Sequence, residues 1–212
     1  MLKMNLKKSG NRFRILSKHR PFLIVISAPS GCGKTTILQS LIDILDGLSF
    51  SVSHTTRKPR AGEITGNDYH FVDLETFHQM QGNGEFVESA IVHSNYYGTS
   101  FAGIDKLLKN GLDVILDIDI QGMCRLKESD SFDLVTIFIL PPSLNELENR
   151  LRQRNTDSDS VILKRIKNAA HEIKFARDYD YNVVNKDIEL AVDSVASIVK
   201  SERLRSSRLI DI

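Results

Sequence analysis

Residues 27–36 read SAPSGCGKTT and follow the apolar run Phe22-Leu23-Ile24-Val25-Ile26. Two glycines, a lysine and two threonines placed where a strand gives way to a helix offer backbone N–H groups to an anion, at the positive end of the helix dipole. The spacing is that of the phosphate loop G-x-x-x-x-G-K-[ST], with Ala28 in place of the first glycine. In that pattern Ala28, Pro29, Ser30, Gly31, Cys32 and Gly33 wrap the nucleotide phosphates, and Thr36 completes the stretch. Lys34 reaches the β- and γ-phosphates, and Thr35 gives a hydroxyl to Mg²⁺. Asp117, which ends the apolar run Val114-Ile115-Leu116, is a candidate Mg²⁺ ligand through water and equally a buried structural carboxylate. A second constellation lies between residues 53 and 99. Arg57 and Arg60 are three apart, and with Tyr69 and Tyr97 they have the chemistry of a second phosphate cradle, since guanidinium forks match phosphate oxygens and phenols donate to them. Each of these residues alone reads as a surface group or a core tyrosine; the combination carries the inference.

These side chains need a frame. Apolar runs at 22–27, 112–118, 134–140 and 181–185 alternate with helical periodicity at 34–46, 100–110, 143–154, 158–178 and 187–203. The alternation predicts buried parallel strands joined by right-handed crossovers, an α/β doubly wound core of phosphate-loop type. Ser143-Leu-Asn-Glu146 after two prolines predicts a capping box at the start of the third helix. Between about 50 and 99 the alternation breaks into short β-prone pieces with turn signals at Ala61-Gly62 and Gly66-Asn67. That stretch predicts a small, mostly antiparallel insertion holding a second substrate over the phosphate loop.

The 212 residues suit one domain with a full core, and 41% hydrophobic with 26% charged residues is an ordinary globular composition. With 28 basic and 27 acidic residues, net charge +1, no global field recruits nucleic acid or an anionic membrane, so phosphate recognition is local. No stretch has the length and apolarity of a membrane span or a signal-peptide core. Cys32 and Cys124 lack metal spacing and point to a reducing, cytoplasmic setting. The six histidines show no ligand or triad spacing. Residues 1–20 carry seven Lys or Arg and no acid, which predicts a mobile, solvated tail; an organelle-targeting peptide is the other reading, and Met4 is a second possible start.

The phosphate loop SAPSGCGKTT, then SVSHTTRKPRAGE, GNDYHF, FVE, NYYGT, LDIDIQG and RLRQRNTDS resemble the guanylate kinase family in order and approximate spacing, over nearly all of 21–190. The TTRxPRxGE and NYYGT elements are far more specific than the phosphate loop. The resemblance implies ATP-dependent phosphorylation of GMP to GDP with Mg²⁺, by a core (21–49, 100–142 and 170–207), a GMP-binding insertion (50–99) and a helical lid (about 143–169). It implies guanine contacts for Ser53, Glu88, Thr99 and Asp119, and GMP phosphate contacts for Arg57, Arg60, Tyr69 and Tyr97. Guanine shows donors at N1 and N2 where adenine shows an acceptor at N1, so carboxylates at 88 and 119 would pair with guanine and repel adenine. Arg150, Arg154 and Arg165 match the lid arginines that reach across the ATP phosphates, whereas Arg152 reads as part of a solvated helix face.

The sequence departs from the family pattern at three places. Ala28 replaces a glycine, a tolerable change where φ is negative. Asn155 replaces a frequent glycine after the lid arginine, and Lys186 a frequent aspartate, which weakens the case for adenine-side contacts more than that for GMP. Two rivals are a scaffold module of the same fold, which Lys34, Thr35 and the lid arginines disfavour, and a kinase of phosphorylated sugars, which Glu88 and Asp119 disfavour.

Overall fold

In the computed structural model residues 18–92, 94–153 and 157–210 are described, so the basic segment lies almost wholly outside the described residues. The chain opens with β1 (Lys18–His19), β2 (Leu23–Ser27), α1 (Lys34–Ile44) and β3 (Leu48–Phe50). The middle comprises β4 (His54–Thr55), β5 (His70–Phe71), α2 (Leu74–Gly82), β6 (Phe86–Val92) and β7 (Asn95–Ser100). It continues through α3 (Phe101–Lys109), β8 (Asp113–Asp117), α4 (Ile120–Ser129), β9 (Leu134–Leu140), α5 (Leu144–Gln153) and α6 (Asp159–Glu172). A 3-10 stretch (Ile173–Asp178), β10 (Tyr181–Val184), α7 (Ile188–Arg203) and β11 (Leu209–Ile210) complete it.

Five strands form a wholly parallel sheet in the order β10-β9-β2-β8-β3. The central strand β2 is buried along its whole length because both faces are covered. Ile24 and Ile26 point into a cluster with Ile37 and Leu41 of α1 and Val195 and Val199 of α7. Leu23 and Val25 point the other way, to Ile104 of α3 and Met123 and Leu126 of α4. Each such fully buried side chain contributes about 1.5–3 kcal/mol, which is what fixes the register of the crossovers.

A second sheet, β5-β4-β7-β6, is antiparallel across β4-β7 and β7-β6 and parallel across β4-β5. Leu48–Phe50 pairs in parallel with β8 at the edge of the core sheet, so Phe50, expected as the first residue of the insertion, belongs with Leu48 and Ser49 to the core. Two helices not anticipated from the sequence, α2 and α4, are each started by an aspartate: Asp73 accepts from the Thr76 N–H at 2.7 Å, and Asp119 from the Gly122 N–H at 2.9 Å. At α5 the Glu146 N–H donates to Ser143 Oγ at 3.1 Å, but the Glu146 carboxylate accepts from Arg150 Nε at 3.0 Å. Half of the expected capping box is therefore spent on an arginine.

At the other end of the strands β1 pairs with β11, and Arg208 lies buried beneath the pair. Its guanidinium stacks 4.3 Å from the Phe22 ring and bonds Asp133 twice, at 2.7 and 2.6 Å, and also the Glu202 carboxylate.

Candidate active site

The loop from Ser27 to Gly33 leaves β2 at the C-terminal edge of the parallel sheet, where open α/β sheets gather their ligands. Gly31 (φ +96°) and Gly33 (φ +82°) are left-handed, and a Cβ on Gly33 would stand 2.6 Å from Asn185 Nδ2. Ala28 has no such φ, which explains why a side chain is tolerated there. Gly33 caps α1 without any side-chain hydrogen bond, so the first N–H groups of the helix are open to an anion. Pro29 and Cys32 are buried, and burial pushes the Cys32 thiol up to about 12, which keeps it neutral and inert. Asn185 donates to the Cys32 carbonyl at 2.7 Å and holds the loop from below.

Lys34 is paired with Asp117 at the end of β8. Asp117 is exposed, so the alternative of a buried structural carboxylate does not hold. The two face a cavity of about 350 Å³ with Ser27, Ala28, Asp119 and Glu172. A neighbouring cavity of about 290 Å³ is lined by Thr35 and Asp117 together with Ser53, Tyr69 and Thr99. A hydroxyl and a carboxylate lining one cavity are a donor set that suits Mg²⁺, which takes few protein ligands beside phosphate oxygens and water. Thr36 is exposed on α1.

Across the cleft, β6 and β7 set Glu88 opposite Thr99. Ser53 Oγ lies 3.1 Å from Thr99 Oγ1, which donates to Glu88 Oε1 at 2.9 Å. Burial raises the Glu88 pKa, the Thr99 bond offsets part of the rise, and nearby Asp119 adds to it. Three residues far apart in sequence thus form one hydrogen-bonded chain ending in a carboxylate that prefers a donor partner. Arg57 lies 5.4 Å from the centre of the Tyr69 ring, and Tyr69 packs edge-on to Tyr97 at 5.8 Å. Arg60 is exposed beside them. Glu63 accepts from Arg57 Nη2 and from the Arg60 backbone N–H, both at 2.7 Å, and so aims the Arg57 guanidinium and fixes the backbone at Arg60.

The sequence profile of the family described as guanylate kinase matches residues 20–202. The chain belongs to the guanylate kinase family. A guanylate kinase of Geobacter metallireducens is 50% identical over 194 residues, covering 92% of this chain and 95% of that one. One of Desulfotalea psychrophila is 52% identical over 186 residues, 88% and 92% of the two chains. The crystal structure of guanylate kinase from Anaplasma phagocytophilum superposes with a TM-score of 0.69 at 35% identity, covering 92% and 93%. The family phosphorylates GMP to GDP with ATP, and the protein is a kinase.

Of the residues that guanylate kinase motifs assign to the lid, Arg150 is held by Glu146 and reaches the Lys186 carbonyl at 3.5 Å. Arg165 donates to Ser30 Oγ at 3.2 Å and pairs with Asp157 at 3.5 Å. Arg154 and Asn155 lie outside the described residues. Arg152 spends its guanidinium on Glu148 and Asp159, as a solvated face does. Asp119 serves two ends, since one oxygen caps α4 and the residue still faces the Lys34 cavity. Four residues that hold others in place, Glu63, Glu146, Asn185 and Asp157, were not singled out for such a role from the sequence. The one available signal was the glutamate that closes the TTRKPRAGE stretch.

Proposed function

We propose that the cleft transfers the γ-phosphoryl group of Mg²⁺-ATP directly to the phosphate of GMP, with the bases told apart by Glu88 and Asp119. The hydrogen-bonded chain Ser53–Thr99–Glu88, facing the phosphate loop across a shared cavity, carries this reading. Guanine brings N1–H and N2–H donors to Glu88 and a further N2–H to Asp119. Adenine would put an acceptor against a desolvated carboxylate, a mismatch worth about 1–3 kcal/mol or more for a charged group. Arg57, Arg60, Tyr69 and Tyr97 bind the GMP phosphate.

A phosphate monoester has a second pKa of about 6, so at neutral pH the GMP oxygen is already a nucleophile and no general base is needed. The obstacle is repulsion between two anions brought into line. Lys34 and the open N–H groups of α1 receive the β- and γ-phosphates, and Arg150, Arg154 and Arg165 spread positive charge over the transferring group. Thr35 and Asp117 would hold Mg²⁺, whose charge would further offset that of the phosphate oxygens. Three working parts follow: the core, the GMP insertion 50–99 and the lid 143–169, whose closure excludes water and discourages ATP hydrolysis. We place the enzyme in the cytoplasm, in purine nucleotide metabolism; among the described residues no helix is long and apolar enough to cross a membrane. A coupled assay offering GMP, AMP, CMP and UMP with ATP should show turnover of GMP far above the rest. Comparable rates for AMP would overturn the base assignment.

A further inference from the structure

Glu172 ends α6 and faces the cavity that holds Lys34, Asp117 and Asp119. The other two acids are committed, Asp117 to Lys34 and Asp119 to the Gly122 N–H. No hydrogen bond or ion pair reaches the Glu172 carboxylate from the described residues. Burial raises its pKa, while Lys34 draws it down and Asp119 pushes it up. The Cys32 thiol at the centre of the phosphate loop feels Arg150, Glu172 and Lys34, in keeping with Glu172 standing beside the loop in the Lys34 cavity.

Local rules disfavour a carboxylate here. The last turn of a helix is its negative end and another acid is near, and against these stand only the charges of Lys34 and His171, with no hydrogen bond from the described residues. A side chain that breaks such rules without local return marks a functional demand. The demand is visible in Lys34. An ammonium has three N–H donors. Two are needed for oxygens of the β- and γ-phosphates, and the third requires an anion to aim the group. Asp117 supplies that anion in this structure, but it also lines the Thr35 cavity, whereas Glu172 lines the Lys34 cavity and not that one.

We propose that Glu172 is a positioning residue for Lys34, accepting the third N–H of the ammonium when the amine swings off Asp117 onto the phosphates. The proposal rests on the phosphate-loop reading above. Glu172 then acts through Lys34 and need not touch either nucleotide. Its negative charge also repels the phosphates, which gives the two roles opposite signs.

The test is a double-mutant cycle of Glu172→Gln with Lys34→Ala, read by kcat and KM and, independently, by ADP affinity in calorimetry. If Glu172 aims Lys34, Glu172→Gln lowers kcat about tenfold with KM for GMP unchanged, and Glu172→Asp recovers part of the loss. ADP binding weakens in the Lys34 background and tightens in the Lys34→Ala background, where only the repulsion is relieved. Tighter ADP binding in both backgrounds, or an equal kcat loss in both, would overturn the proposal. A wild-type protein that fails to phosphorylate GMP would instead sink the functional reading, and the ADP cycle would still decide the pairing of Glu172 with Lys34.

Discussion

Ionised Glu88 stands where its surroundings favour the neutral acid, because burial raises its pKa more than the Thr99 hydroxyl lowers it. Since the folded pKa lies above the unfolded one, the folded state holds the proton more tightly, and stability falls as pH rises through the interval between them. Above that interval the charge is a standing cost that serves recognition. Glu88→Gln should therefore melt above wild type at alkaline pH, with the gap closing as pH falls through the folded pKa. The same variant should lose about 2–4 kcal/mol of kcat/KM for GMP and none for AMP, since one acceptor oxygen becomes a donor facing a donor. Melting curves over a pH series and kcat/KM for both monophosphates check the two halves; a destabilised variant at alkaline pH would contradict the first. Lys34 presents the converse case. Its pair with Asp117 is partly exposed and contributes about 0–1 kcal/mol to the fold, whereas a lost phosphate clamp costs about 3–4 kcal/mol in the barrier. Lys34→Ala should keep its melting temperature and lose kcat.

Helix α5 bears directly on the phosphate loop: a Cβ on Gly31 would meet Leu151 Cδ2 at 2.9 Å and Leu147 Cδ1 at 3.0 Å. Leu147 and Leu151 are fully buried in the same cluster as α1 and α7. Leu151→Ala should cost about 2–5 kcal/mol of stability by cavity formation. It should also raise KM for ATP more than KM for GMP, because the loop loses its backing while the insertion is untouched. Equal changes in the two constants would argue against this coupling. Elements with strong patterns were legible in the sequence, as the run at 22–27 and the helices at 34–46 and 187–203 show, because each buries a regular stripe. Helix α2 was not legible because Phe77 is its one buried side chain, and α4 because its buried set, Gly122, Met123 and Leu126, is short and follows a strand directly. The three-residue β3 is defined only by its partner β8, some sixty residues away, a relation that no local pattern records. The candidate site divides in the same way. Ser53, Glu63, Glu88 and Thr99 stand in motif stretches, whereas Asn185, which holds the Cys32 carbonyl, and Glu172, which lines the Lys34 cavity, become visible only when the fold brings distant segments together.

Across the whole molecule, charge is buried most deeply at the pole opposite the cleft. Arg208 and Glu202 are both 3% exposed, and Tyr181 donates to Glu202 at 2.5 Å. Removing the arginine takes the buried cation from Glu202 and leaves it the exposed Arg205 at 3.3 Å and the Tyr181 hydroxyl, a loss of up to about 3–5 kcal/mol. Arg208→Ala should lower the melting temperature by several degrees and leave kcat/KM for GMP unchanged at temperatures where it stays folded; a changed kcat/KM there would tie this pole to the cleft. Arg208 lies beyond the family match at 20–202, whereas its partners Phe22, Asp133 and Glu202 lie within it. Lys18 and Ile210 are antiparallel partners, which leaves the first and last described residues side by side. A short linker could join them into a covalent ring, and the ring could be cut again at the α3–β8 turn, where nothing lies within 4 Å of the Cβ position of Gly111. Such a circular permutant would keep every strand of the core sheet in register and carry its new ends, or a fused partner, at a place of the experimenter's choosing.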